Sequence, residues 1–186
     1  GYTIFTTMDC NARCFYCYEK GTKPVTMTRE TANKVFRYIL AHHGEKKVKI
    51  SWFGGEPLYN VQVIDQICKN LCKNDVPYKS KMISNGYLFD AEMIQRAKEL
   101  WKLQQVQITL DGTEQTYNRS KRYIYGDVNA FERVLENIEL LMAVEINVSV
   151  RLNVDKHNID EMIELVSLLH HRFGANKNLT IYSHEL

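Results

Sequence analysis

Three cysteines, Cys10, Cys14 and Cys17, fall within eight residues, in Asp9-Cys10-Asn11-Ala12-Arg13-Cys14-Phe15-Tyr16-Cys17-Tyr18. Thiolates are soft ligands for iron–sulfur clusters and zinc. A four-iron cluster ordinarily takes four cysteines, so a set of three leaves one iron open to an outside ligand, as catalytic metal chemistry requires. Zinc sites usually pair CxxC units or add histidines at set spacing. The nearest histidines here, His42 and His43, fall in a separate helical run. A disulfide framework fits poorly, because five cysteines in 186 residues leave one unpaired.

Further polar or glycine-bearing segments follow strand-like runs. They are Gly54-Gly55-Glu56-Pro57, Ser84-Asn85-Gly86, and Gln107-Ile108-Thr109-Leu110-Asp111-Gly112. Paired glycines let a backbone turn sharply and approach a ligand without a Cβ in the way. Ser84 and Asn85 carry short side chains suited to a ligand hydroxyl or carboxylate, although Asn-Gly also marks a plain turn. In the last segment the strand period puts Gln107, Thr109 and Asp111 on one face. Arg151 and Asn153 share a face in the same way. An arginine inside an apolar strand is costly unless paired, so Arg151 is expected to meet an anion, either a ligand carboxylate or Asp111.

The elements that must position these residues alternate. Strands are expected near Thr3 to Thr7, Val48 to Phe53, Lys79 to Ser84, Val106 to Leu110, Ile146 to Asn153 and Leu179 to Tyr182, with five helices between them. Thr28, Asp90, Asn129 and Asn158 are placed to cap helices. Such βα alternation predicts a parallel sheet whose functional groups gather at the C-terminal strand ends. Cys68 and Cys72, four apart in a helical run, read as core residues.

The CxxxCxxC spacing, with Tyr16 before its last cysteine, resembles the signature of the radical S-adenosylmethionine superfamily. The resemblance covers nearly the whole chain and implies an α/β fold, a partial (β/α)6 barrel of parallel strands. It also implies a 4Fe-4S cluster on Cys10, Cys14 and Cys17, with S-adenosylmethionine chelating the fourth iron. Its reductive cleavage would give a 5′-deoxyadenosyl radical for hydrogen abstraction. By the same resemblance Tyr16 lies over the adenine, and the backbone carbonyls of Gly54, Gly55, Glu56 and Pro57 accept hydrogen bonds from the methionyl ammonium. Ser84 and Asn85 then stand at the ribose and carboxylate, and Gln107 and Thr109 face the cofactor.

The combination with Trp52-Phe53-Gly54-Gly55-Glu56-Pro57-Leu58, Ile83-Ser84-Asn85-Gly86-Tyr87-Leu88 and Gln107-Ile108-Thr109-Leu110-Asp111-Gly112 is most similar to the branch that modifies peptides and proteins. This implies a peptide or protein substrate and an external one-electron donor such as flavodoxin or ferredoxin. That branch often carries His-Asp-x-x-Arg after strand four, its arginine neutralising the cofactor carboxylate. Here the stretch reads Tyr117-Asn118-Arg119-Ser120-Lys121, which leaves Lys121, Arg119, Arg122 or Arg151 for that charge; a solvated basic loop is the competing reading. The Gly-x-Ile-x-Gly run of some members is absent from strand five.

Lysine plus arginine number 24 against 22 acids, a balance that points to neither a nucleic-acid nor a membrane partner. No apolar run is long enough to span a bilayer, and the reduced thiols suggest a cytoplasmic, anaerobic setting. One domain is expected over residues 1–186, and because the sequence ends just past strand six, a fragment of a longer chain carrying a cysteine-rich SPASM or twitch domain. The alternative is a non-catalytic iron–sulfur or zinc binding module.

Overall fold

The computed structural model describes residues 1–17, 19–21, 23–44, 46–126, 129–154, 156 and 158–185; Tyr18 of the cysteine motif lies outside them. Six strands run β1 Tyr2–Thr7, β2 Val48–Gly54, β3 Tyr78–Ser84, β4 Leu103–Leu110, β5 Asn147–Val154 and β6 Leu179–Glu185. They form one sheet in the order β1-β2-β3-β4-β5-β6, every neighbouring pair parallel. Parallel neighbours require crossovers, and helices supply them. These are α1 Arg29–His42, α2 Val61–Lys73, α3 Ala91–Glu99, α4 Glu114–Lys121, α5 Ala130–Ala143 and α6 Ile159–Phe173, with a 3₁₀ turn at Pro57–Asn60.

The sequence-level expectation of five helices misses α4. This short helix is strongly polar, EQTYNRSK, and gives no apolar stripe to read by period. It buries Tyr117, Ser120 and Lys121, so the basic-loop reading is wrong for Lys121 and holds for exposed Arg119 and Arg122.

Helix starts follow the expected chemistry at three places. Thr28 accepts from the Thr31 amide at 3.1 Å, Asp90 from Met93 at 2.8 Å, and Asn129 from Glu132 at 3.2 Å. Each such cap contributes about 1 kcal/mol. Asn158 occupies the cap position of α6, and its Nδ2 donates to the Asn153 carbonyl at 2.9 Å.

Alternation along each strand divides the sheet into two faces. The outer face (Ile50, Trp52, Met82, Val106, Ile108, Val148, Val150) packs under the helices as one buried core. Fully burying such side chains contributes roughly 1.5–3 kcal/mol each. Cys68 belongs to this core, whereas Cys72 is exposed. Residues four apart on a helix are offset by about 40°, and here that offset carries Cys72 to the rim, its Sγ 3.2 Å from the Tyr78 hydroxyl. The inner face is open and polar. Register aligns Phe5, Phe53, Ile83, Gln107 and Ser149 in one row and Thr109, Arg151 and Tyr182 in the next, so the polar inward row expected on β4 is present. No helix among the described residues is long and apolar enough to cross a membrane.

Candidate active site

The cysteine loop leaves the C-terminal end of β1 and is pinned along its length. The Asp9 amide donates to Thr7 Oγ1 at 3.0 Å. The Arg13 amide donates to the carbonyls of Lys121 and Arg122 at 2.9 and 3.0 Å, and the Ile124 amide to that of Asn11 at 2.9 Å. Ala12 and Tyr123 thereby pair as an antiparallel bridge. Arg122 adopts φ 48° to end α4, a left-handed conformation costing about 1–2 kcal/mol in a residue with a side chain; it caps α4 where the carbonyls of Lys121 and Arg122 meet Arg13.

Gly54-Gly55-Glu56-Pro57 packs directly beneath the start of this loop. The Gly55 amide donates to the Thr7 carbonyl and the Glu56 amide to that of Asp9, both at 3.0 Å. A Cβ on Gly54, at φ +140°, would stand 2.1 Å from the Thr7 carbonyl oxygen, and one on Gly55 2.5 Å from that of Asp9. The glycines are therefore required by close approach to the cysteine loop's own backbone.

Glu56 is fully buried. Its carboxylate accepts from Ser84 Oγ at 2.9 and 3.1 Å, from the Asn85 amide at 2.8 Å and from the Leu58 amide at 3.1 Å. Burial pushes its pKa up to about 7, against the opposing pull of those donors. The side chains of Glu56 and Ser84 are thus spent on each other, joining the β2 turn to the β3 turn. What they can present to a ligand is backbone. Pro57 is buried, its carbonyl accepting from Thr6 Oγ1 at 3.0 Å.

Asn85 connects this unit to the thiols. Its Nδ2 donates to Asn11 Oδ1 at 2.7 Å and to Cys10 Sγ at 3.7 Å, while its Oδ1 accepts from the Tyr87 amide at 3.0 Å. Cys10 Sγ also accepts from the Ala12 amide at 3.4 Å. Asn11, buried between them, carries no signal in the sequence beyond its place inside the motif.

On the other side of the loop a buried polar cluster forms. Lys121 Nζ stands 2.7 Å from both Asp111 Oδ2 and the Tyr16 hydroxyl. The Tyr16 hydroxyl donates to Asp111 Oδ2, and Asn153 Nδ2 donates to Asp111 Oδ1 at 2.8 Å. Burial would raise the Asp111 pKa, but the Lys121 charge and these donors outweigh it and hold the group ionised, below its ordinary value. Burial likewise opposes the Lys121 charge, and Asp111 more than restores it. The Lys121 ammonium also lies 5.5 and 5.6 Å from the ring centres of Tyr16 and Tyr117.

Arg151 is not the partner of Asp111, contrary to one of the two expected pairings. Its Nε donates to Asn153 Oδ1 at 3.0 Å, and among the described residues no carboxylate pairs with it. Lys121 reaches Asp111 from α4, the helix the sequence reading lacked. Gln107 and Thr109 lie half-buried on the open face, Gln107 lining a cavity of about 330 Å³ with Phe5, Phe53 and Lys81.

Cys10, Cys14 and Cys17 are all free and half-buried. Burial, with Glu56 nearby, pushes the Cys10 thiol up to about 12. Burial also raises Cys14, with Lys121 opposing. Buried thiolates need a compensating cation. N–H donors at Cys10 Sγ and three soft ligands on one pinned loop fit an iron–sulfur cluster in donor chemistry. Among the described residues no three His, Cys, Asp or Glu side chains are gathered at metal-holding distance.

Comparison with known proteins identifies the family. The Radical SAM superfamily model matches residues 4–169. GTP 3',8-cyclase of Clostridium perfringens is 31% identical over 174 residues, covering 89% of this chain and 50% of that protein. A probable GTP 3',8-cyclase of Thermococcus kodakarensis is 29% identical over 88% of this chain and 52% of its own length. The chain thus spans about half the length of the curated relatives it matches. Among solved structures, native anSMEcpe with bound AdoMet superposes with a TM-score of 0.78 at 17% identity, over 97% of this chain and 51% of that one. Streptococcus suis SuiB bound to precursor peptide SuiA gives 0.68 at 14% identity, over 97% and 38%. At such identities these structures speak for the fold alone, and it is the family match together with the three-cysteine loop that places the chain: it belongs to the radical SAM superfamily.

Proposed function

We propose that this domain holds a 4Fe-4S cluster on Cys10, Cys14 and Cys17 and binds S-adenosylmethionine at the C-terminal edge of the sheet. The carrying observation is the joining of three turns at one point: Glu56 binds Ser84 and Asn85, and Asn85 reaches both Asn11 and Cys10 Sγ. When bound, the pair supplies a 5′-deoxyadenosyl radical for hydrogen abstraction; the radical chemistry is the cofactors'. The chain's own residues orient and enclose. Asn85 and the Ala12 amide donate to a cysteine sulfur, Tyr16 and Lys121 wall the other side, and the backbone at Gly54 to Pro57 and the side chains of Gln107, Thr109 and Arg151 line the ligand side. A one-electron donor such as flavodoxin or ferredoxin reduces the cluster from outside.

The substrate class we infer is a peptide or protein. Similarity of Gln107 to Gly112 and of the Trp52 to Leu58 segment to the peptide-modifying branch supports it, as does an inner face open enough to admit an extended chain. The second reading is a purine nucleotide, favoured by the reaction named for the sequence relatives. Anaerobic incubation with dithionite and S-adenosylmethionine tests the first step, with 5′-deoxyadenosine and methionine expected in equal amounts. Stimulation of that turnover by peptides or by GTP separates the two substrates.

A further inference from the structure

The N-terminal half of the inner face carries positive charge that no described residue balances. Lys49 and Lys79 are register partners on β2 and β3, and Lys81 lies two residues on along β3, paired with Ser51. All three are exposed, and among the described residues no side chain hydrogen-bonds or pairs with their ammonium groups. Like charges directly opposite on adjacent strands are destabilising, so this arrangement costs stability unless an anion relieves it. Asp111 is the carboxylate on the same face among the described residues, and Lys121 already neutralises it. Directly above the lysines, toward the cysteine loop, come Phe5, Phe53 and Ile83. Phe5 and Phe53 pack edge to face with ring centres 5.0 Å apart, and Phe5 and Ile83 remain 46% and 39% exposed. Gln105 and Gln107 close the cavity on β4.

Spacing identifies the occupant. Lys79, Lys81 and Ile83 project from one strand at intervals of two residues, about 6.6 Å. Alternate side chains of an extended peptide repeat at the same interval, so successive acidic and apolar side chains of one peptide can face successive rows of the sheet. Lys81 lies four residues, about 13 Å, below Asn85, which places the charged row within one short peptide's reach of the cysteine loop. A compact polyanion would leave the apolar row unused.

We propose that the open inner face binds the acidic part of an extended peptide substrate, Lys49, Lys79 and Lys81 holding its carboxylates and Phe5, Phe53 and Ile83 its apolar side chains. This rests on the peptide reading and gives that substrate a composition. Charge-assisted pairing of this kind is salt-sensitive and requires an anionic partner, which a glutamine side chain is not.

The test uses an eight-residue fluorescein-labelled peptide with three glutamates and two phenylalanines, and its glutamine counterpart, titrated with the chain and followed by fluorescence anisotropy. The acidic peptide should bind at least tenfold more tightly than the glutamine version and weaken as salt is raised. Lys79→Glu with Lys81→Glu should remove at least tenfold of that affinity, with unchanged circular dichroism and unchanged peptide-independent S-adenosylmethionine cleavage. Equal binding of both peptides would overturn the charge assignment and leave the peptide reading standing. Binding of neither peptide, with GTP displacing a fluorescent nucleotide from the same face, would overturn both. Loss of acidic-peptide binding in Arg119→Glu with Arg122→Glu, but not in the lysine variants, would move the site to the cysteine-loop rim and overturn the proposal.

Discussion

Lys121 Nζ lies 2.7 Å from Asp111 Oδ2 inside the protein, both side chains less than one-tenth exposed. A buried pair of this kind is poor evidence of net stabilisation, but removing one partner leaves the other charged and desolvated. Lys121→Met should therefore lower unfolding free energy by about 3–5 kcal/mol, read from urea midpoints. Adding Asp111→Asn should recover part of the loss, since the orphaned charge goes with it. A loss below about 1 kcal/mol in the single variant would show that solvent reaches the pair.

Glu56 supplies a pH signature. Its folded-state pKa near 7 stands above its ordinary value of 4.5, so the native state holds a proton that the unfolded chain releases over that interval. Stability is then highest below about 4.5 and declines as pH rises through 7, by roughly 3 kcal/mol from this group. Glu56→Gln should flatten that decline in denaturation series between about pH 4.5 and 7.5. The slope is the readout, because glutamine has one acceptor oxygen and cannot keep the bonds from both the Leu58 and Asn85 amides. An unchanged slope would mean that another group titrates there.

Gly55 should tolerate no side chain. A methyl there meets the Asp9 carbonyl at 2.5 Å and the Met8 carbonyl at 2.8 Å, both backbone, and neither can rotate aside. Gly55→Ala is expected to lower iron content after anaerobic reconstitution as well as S-adenosylmethionine binding, since it displaces the loop that carries the cysteines. Normal iron with lost cofactor binding would instead make the turn a ligand contact only.

Arg151 offers the contrasting case. Without a carboxylate partner among the described residues, Arg151→Met should cost less than about 1 kcal/mol of stability. If Arg151 meets the cofactor carboxylate, the variant should bind S-adenosylmethionine about tenfold or more weakly by calorimetry, as loss of a charge-assisted bond implies. Unaltered affinity would leave the carboxylate to Lys121, Arg119 or Arg122.

Much of this arrangement is legible in the chain before any coordinates. Apolar residues on a period of two mark the strands because one face packs under helices, most fully in β2, β4 and β5 and least in β6, none of whose residues is fully buried. Thr28, Asp90 and Asn129 announce their helices because a short side-chain oxygen at that position has a free amide to accept from. The cysteine spacing is informative because few other uses of three thiols share it. Two features stay hidden for physical reasons. Helix α4 has no apolar stripe, so Lys121 reads as surface although it is buried beside Asp111. Ser84 reads as a ligand contact and Glu56 as one through its backbone, while the bond between their side chains across 28 residues of sequence is something local pattern does not report. Gly54 and Gly55 read as places where the backbone meets a ligand, whereas the backbone that comes close to them in the structure is that of the chain's own cysteine loop.

The central claim is that Cys10, Cys14 and Cys17 hold a cluster with one iron open to S-adenosylmethionine. The direct measurement is electron paramagnetic resonance of the anaerobically reconstituted, dithionite-reduced chain before and after adding S-adenosylmethionine, with metal analysis of the same sample. About four iron per chain, a reduced-cluster signal that shifts on adding the cofactor, and loss of both in Cys14→Ala are predicted. Stoichiometric zinc, or a cluster whose signal ignores S-adenosylmethionine, would contradict it.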